Sequence, residues 1–250
     1  MTWRKIVPNL ITIAALLAAF FSMVQSAHGN FMLASQLIML CLILDGLDGN
    51  IARAFKGTTK FGAELDTFVD ITAYGLAPAM LIYETVAKEF GFWGMVLVSL
   101  TVVFGALRLS RFRVADPFRG QRGYCGLPIT VNAGWVANFV FISQTGLLDD
   151  EHLSLADGPL ATLVWTCSVA FLFLQVSNVR YGKPTKTPLF FLSGILLVVL
   201  LFFKLQFAVA SAAWMCCYAF FYAFISPFLP KHDLVPDDEE EEHPVTLRHS

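Results

Sequence analysis

Apolar residues in this chain run in long stretches with no charge at all, and the two-residue alternation of half-buried strands is absent. A hydrocarbon core of about 30 Å needs about 20 apolar residues per helix. On that ruler eight spans stand out, at 6–26, 31–52, 66–86, 91–110, 128–147, 159–177, 188–203 and 207–227. The pattern therefore predicts an all-α, polytopic membrane helical bundle of about eight transmembrane helices, and it argues against a transmembrane barrel.

Composition agrees with that reading. Of the 250 residues 56% are hydrophobic, 24 are Phe, and the mean hydropathy is +0.64. The first span follows Arg4 and Lys5 and ends in "SAHGN", which has the outline of a secretory leader. Its apolar run is longer than a leader needs and carries Asn9 and Thr12, so it is expected to stay as a span. Loop charges predict the orientation. With the termini on the cytoplasmic side, that side holds 15 of the 17 Lys and Arg residues, and the other side holds Lys88 and Lys204. The outer loop at 149–157 is acidic instead.

The five cysteines have no metal-like spacing and read as packing residues, and the five histidines lie in loops or tails. The ending "DLVPDDEEEEHPVTLRHS" reads as a solvated acidic tail with no chemistry of its own. A nucleic-acid partner is not expected.

One stretch breaks the apolar pattern. "LDGLDGNIARAFKGTTKFGAELDTFVD", residues 44–70, puts four carboxylates where spans should begin and end. If the second span is helical to about residue 53, Asp45, Asp48, Gly49, Ala52 and Arg53 share one face. Residues 54–60 form a polar, basic turn, after which Gly62, Asp66 and Asp70 recur every four residues on one face of the next helix. A short turn makes the two helices antiparallel neighbours, so the acidic faces can meet.

An Asp at a helix centre in a membrane costs about 3 kcal/mol, and like charges brought together add to that. Arg53 alone cannot neutralise four acids. Oxygen ligands without His or Cys suit a hard divalent cation, Mg²⁺ or Mn²⁺, and two such ions would balance the four charges. Such a pair is the clamp used in phosphoryl transfer. Gly49, Ala52 and Gly62 leave room for a bulky polar ligand, and Thr58 and Thr59 offer hydroxyls where a helix start favours phosphate. A buried charge network or a transporter's ion pathway also uses acids, but neither needs this spacing.

Asp45, Asp48, Gly49, Ala52, Arg53, Gly62, Asp66 and Asp70 read D-x2-D-G-x2-A-R-x8-G-x3-D-x3-D. This resembles the signature of the CDP-alcohol phosphatidyltransferases, integral membrane enzymes of phospholipid synthesis. The resemblance implies a six-helix core, here residues 1–186, with two further helices at 187–228 and the tail at 229–250. It also implies homodimers in the inner membrane and a site open to the cytoplasm. By the same resemblance, Asp45, Asp48, Asp66 and Asp70 would hold the metal ions, and Asp70 would also serve as general base. Gly49, Arg53, Thr59 and Gly62 would lie on the CDP part of the lipid donor, CDP-diacylglycerol. "PNLIT" at 8–12 would add Asn9 and Thr12 to the cytidine pocket.

"AYGLAPAMLIY" after Asp70, "ALRLSRFR" at 106–113, "GLPIT" at 126–130 and "VSNVRYGKPTK" at 176–186 resemble the phosphatidylserine synthases within that family. That branch more often has Ser-Phe at Ala73-Tyr74, Asn at Arg113 and Pro at Thr130. The resemblance implies transfer of the phosphatidyl group to the hydroxyl of L-serine, with CMP leaving. Glycerol 3-phosphate, inositol phosphate and choline are the other acceptors open to this chemistry. Arg108 and Arg111, at i and i+3, are expected on one face where they could hold a serine carboxylate, with Arg180 as a further acceptor contact. Pro78 is expected to kink a helix and Pro128 to start one.

Overall fold

The computed structural model describes residues 3–115, 123–146, 159–182 and 188–228. All eight apolar segments are helical in it. α1 (Trp3–Ala27) and α2 (Phe31–Ala54) are joined through a turn with Gly29 at φ +79°. α3 (Lys60–Asp70), a π-helical turn (Ile71–Leu76) and α4 (Ala77–Thr85) make one continuous rod. α5 (Gly91–Ala115), α6 (Ile129–Ser143), α7 (Pro159–Val176), α8 (Pro188–Leu200) and α9 (Leu205–Phe220) complete the set. Among the described residues five segments are long and apolar enough to cross a membrane: Trp3–Ala27, Phe31–Ala54, Lys60–Thr85, Ala87–Val114 and Leu205–Phe228. The protein is a multi-pass membrane helical bundle.

Small residues set how closely α1 and α2 approach. Ala15, Ala18, Ala19 and Ser22 of α1 are buried against Ala34, Ser35, Ile38 and Cys41 of α2. The Ser22 hydroxyl donates to the Ala34 carbonyl at 2.8 Å, and the Cys41 thiol to the Ala15 carbonyl at 3.4 Å. α6 stands at the centre, in contact with α2, α4 and α9. That position explains why it has no polar face: ten of its fifteen residues are buried. Trp135 of α6 packs on Phe171 of α7 and Phe220 of α9, with ring centroids 5.9 Å and 4.7 Å apart. The outward faces of α1 and α5 are apolar where lipid would lie, with Leu17, Phe20, Phe92, Trp93 and Leu107 exposed.

Two local features depart from the sequence reading. Pro78 falls in the first turn of α4 within the continuous rod, directly after a π-helical turn that the sequence reading did not include. A proline at 78 cannot donate to the carbonyl of residue 74, and widening the preceding turn accommodates the missing bond. Pro128 caps the start of α6, as expected.

The second departure is a short antiparallel pair in an otherwise all-α protein. β1 (Gly123–Cys125) pairs with β2 (Arg180–Gly182), Cys125 facing Arg180. Gly126, at φ +80°, has its ideal Cβ direction 2.2 Å from the Gln175 carbonyl, so only glycine fits. The Tyr181 phenol donates to the Ala223 carbonyl at 3.0 Å, and Tyr222 donates to the Gly182 carbonyl at 2.6 Å. Burial pushes the Tyr181 phenol up to about 12, so it remains a protonated donor at neutral pH. Arg119, Arg122, Lys183, Lys186, the acidic outer loop and the acidic tail lie outside the described residues.

Candidate active site

The turn at 55–59 brings the end of α2 against the start of α3. Thr59 caps α3: its Oγ1 accepts from the Gly62 amide at 3.0 Å, leaving its own O–H able to donate. A Cβ on Gly62 would stand 2.8 Å from Asn9 Oδ1 and 3.1 Å from Thr59 Oγ1. Glycine at 62 thus lets α1 and α3 close on each other with Asn9 between them. Gly57 does the same at the turn, where a Cβ would stand 2.0 Å from the Arg4 carbonyl.

The expected acidic faces meet. Carboxylate oxygens of Asp45, Asp48 and Asp66 lie within 4.8 Å of one another. Asp70, one helical turn beyond Asp66, stands outside that set but repels Asp45 and Asp66 across the gap. Three of the acids feel the charge of a different arginine: Arg53 attracts Asp48, Arg113 attracts Asp66 and Arg108 attracts Asp70. Arg113 also forms an ion pair with Glu64 and donates to the Ala63 carbonyl at 3.2 Å, tying α5 to α3. Asp48 is 6% exposed and accepts a 2.5 Å hydrogen bond from Thr12 Oγ1. Three clustered carboxylates with only oxygen donors fit a hard divalent cation, because bare charges this close repel strongly.

The expected CDP-side residues gather around the same cluster. Arg53 lies over Gly49, where a Cβ would meet its Nη1 at 3.5 Å, and donates to Asn50 Oδ1 at 3.0 Å. Asn9, Thr59 and Gly62 are together, as described above. Thr12 is the exception in role, since its hydroxyl is directed onto Asp48.

The three acceptor-side arginines separate. Arg108 is 7% exposed, faces Asp70, and stacks its guanidinium 5.6 Å from the Phe112 ring. Arg111 does not share its surroundings. It donates to the carbonyls of Val176 and Ser177 at 3.0 Å and 2.8 Å, to Asn178 Oδ1 at 3.4 Å, and lies 2.6 Å from Cys125 Sγ. The 60° between positions i and i+3 is enough to turn Arg111 onto the β1–β2 clasp while Arg108 faces the acids. Arg180 is exposed on β2 opposite Cys125.

Tyr74, noted in the sequence only as a departure from the Ser-Phe of the similar branch, continues the four-residue stripe Gly62, Asp66, Asp70. That spacing was the available signal.

The family model for CDP-alcohol phosphatidyltransferases matches residues 5–222, from the start of α1 to beyond α9. The chain belongs to the CDP-alcohol phosphatidyltransferase family. Similar members include a CDP-diacylglycerol–serine O-phosphatidyltransferase of Helicobacter pylori, 35% identical over 202 residues, which is 80% of this chain and 81% of that protein. An archaetidylserine synthase of Methanothermobacter thermautotrophicus is 34% identical over 134 residues, 53% of this chain and 56% of that protein. A CDP-diacylglycerol–serine O-phosphatidyltransferase of Bacillus subtilis is 28% identical over 175 residues, 70% of this chain and 89% of that protein. As a family member the chain is a membrane transferase, and the acidic cluster lies on its signature residues.

Proposed function

We propose that this phosphatidyltransferase moves the phosphatidyl group of CDP-diacylglycerol to the hydroxyl of L-serine, releasing CMP. The observation that carries the reading is the set of three carboxylates from α2 and α3 within 4.8 Å, in a chain similar over 80% of its length to a serine-using relative.

Asp45, Asp48, Asp66 and Asp70 would hold Mg²⁺ or Mn²⁺, two ions matching four charges. When bound, such ions supply charge neutralisation along the pyrophosphate. The chain's own groups do the rest. Asn9, Gly49, Arg53, Thr59 and Gly62 receive the CDP part, with Arg53 as the cation and the glycines as the space. Thr12 fixes the Asp48 carboxylate through its hydroxyl.

Arg108 orients the acceptor beside Asp70, while Arg111, through the clasp, sets the wall on which Arg180 stands. Asp70 takes the proton of the serine hydroxyl as its oxygen attacks the lipid-side phosphorus. The phosphoanhydride bond breaks, CMP keeps the bridging oxygen, and the diacyl product stays in the bilayer. The anhydride supplies the driving force, so no ATP enters.

The reading places both termini and the site on the cytoplasmic face of the inner membrane, which the 15-to-2 split of basic residues supports. Residues 1–186 form the catalytic core, 187–228 add α8 and α9, and the enzyme works as a homodimer. The test is CMP release from CDP-diacylglycerol with Mg²⁺ or Mn²⁺ and a panel of alcohols. Release with serine and not with glycerol 3-phosphate, inositol phosphate or choline is expected. Release only with a phosphorylated polyol would reassign the acceptor.

A further inference from the structure

Tyr74 is 1% exposed, and its hydroxyl has no hydrogen-bond partner among the described residues. A buried phenol left without a partner is costly, and such groups in native proteins usually have a reason. Its position is specific. Tyr74 follows Asp70 by four residues, on the stripe begun by Gly62 and Asp66. In an α-helix that stripe drifts by about 40° per step, because four residues exceed one turn of 3.6. The π-helical turn at Ile71–Leu76 winds more residues per turn and counters the drift, so Tyr74 stays on the side of the acids.

Helical side chains lean towards the N-terminus, which carries the phenol back over the Asp70 turn. Gly75 lies in the π-helical turn, and a Cβ there would stand 2.8 Å from Ile71 Cδ1. Around the hydroxyl the carboxylate charge that acts most strongly is Asp45, ahead of Asp70 and Asp48. Among the described residues nothing hydrogen-bonds the Asp45 carboxylate, whereas Asp48 already has Thr12. Ala73, Ala77 and the α2 residues Ile38 and Cys41 are buried in the same core as Tyr74.

We propose that Tyr74 is a positioning residue whose hydroxyl donates to the Asp45 carboxylate when the divalent ions are bound, holding that ligand as Thr12 holds Asp48. This rests on the metal reading above. Outer hydrogen bonds of this kind tune metal affinity by about 10- to 100-fold.

The experiment is Mn²⁺ titration of the purified full-length protein, followed by electron paramagnetic resonance, in the parent, Tyr74→Phe, Asp45→Asn and the double variant. Thermal unfolding with and without Mn²⁺ runs alongside. Tyr74→Phe is expected to bind Mn²⁺ about 10-fold more weakly. Its metal-free unfolding temperature should equal or exceed the parent's, with a smaller upward shift on adding Mn²⁺. In Asp45→Asn the further change Tyr74→Phe should have no added effect on affinity. Equal Mn²⁺ affinity in parent and Tyr74→Phe overturns the proposal, as does an undiminished effect in the Asp45→Asn background. Destabilisation of Tyr74→Phe to the same extent with and without Mn²⁺ also overturns it, since that is packing alone. A parent that binds no Mn²⁺ overturns the metal reading and this proposal with it, and is distinguished because the parent itself fails.

Discussion

The hydroxyl of Thr12 donates to the carboxylate of Asp48 at 2.5 Å, joining the first helix of the bundle to the acidic cluster of the second. The bond is buried and charge-assisted, a class worth about 1.5–3 kcal/mol. It means that α1 helps to orient a carboxylate of the acidic cluster.

Thr12→Val keeps the shape and removes the donor. Mn²⁺ affinity is expected to fall about 10-fold, and Thr12→Ser to restore most of it. Titration of the three proteins with Mn²⁺ checks this; equal affinities would place Thr12 in packing only.

Gly62 and Gly194 make a matched pair. A methyl group at 62 meets Asn9 Oδ1 at 2.8 Å, whereas one at 194 meets nothing within 4 Å. Gly62→Ala should displace Asn9 and raise KM for CDP-diacylglycerol about 10-fold or more, a loss of about 1.4 kcal/mol of donor binding. Gly194→Ala should leave KM unchanged. Initial rates at varied donor concentration decide it.

Arg108 and Arg111 are expected to fail in different ways. Arg108→Lys should raise KM for serine, since a point charge replaces a planar fork facing Asp70. Arg111→Met strips donors from the carbonyls of Val176 and Ser177. Each unpaired carbonyl costs about 1–3 kcal/mol, and a protein of this size loses about 2–4 °C of Tm per kcal/mol. Thermal unfolding and acceptor KM, measured on both variants, separate the two roles.

Asp70→Asn should abolish turnover while CDP-diacylglycerol still binds. Asp70 stands outside the 4.8 Å set of Asp45, Asp48 and Asp66, which leaves the donor's main anchor in place. Equilibrium binding of the donor together with single-turnover CMP release checks it. Lost binding would make Asp70 chiefly a metal ligand.

Much of this was legible in the chain because membrane burial leaves a coarse signal. Eight apolar runs become eight helices, and stripes at three- and four-residue spacing put Asp45, Asp48 and Asp66 together. What stayed hidden depends on contacts distant in sequence or on a change of helical pitch. The strands at 123–125 and 180–182 are three residues each and carry no alternation to detect. Arg111 looked like a partner of Arg108 because i and i+3 are neighbours, yet the Val176 and Ser177 carbonyls that capture it lie 65 and 66 residues further on. Tyr74 stood out in the sequence only as a departure from the Ser-Phe of the similar branch. The π-helical turn that holds it at Ile71–Leu76 has no sequence signature.

The central claim is that these four acids drive phosphatidyl transfer to serine. The most direct test reconstitutes the protein in vesicles with CDP-diacylglycerol, Mn²⁺ and L-serine, and measures CMP and phosphatidylserine together. The account predicts equal amounts of both, and neither without serine, without divalent metal, or in Asp45→Asn. CMP released at the same rate without serine, or phosphatidylserine formed undiminished by Asp45→Asn, would contradict it.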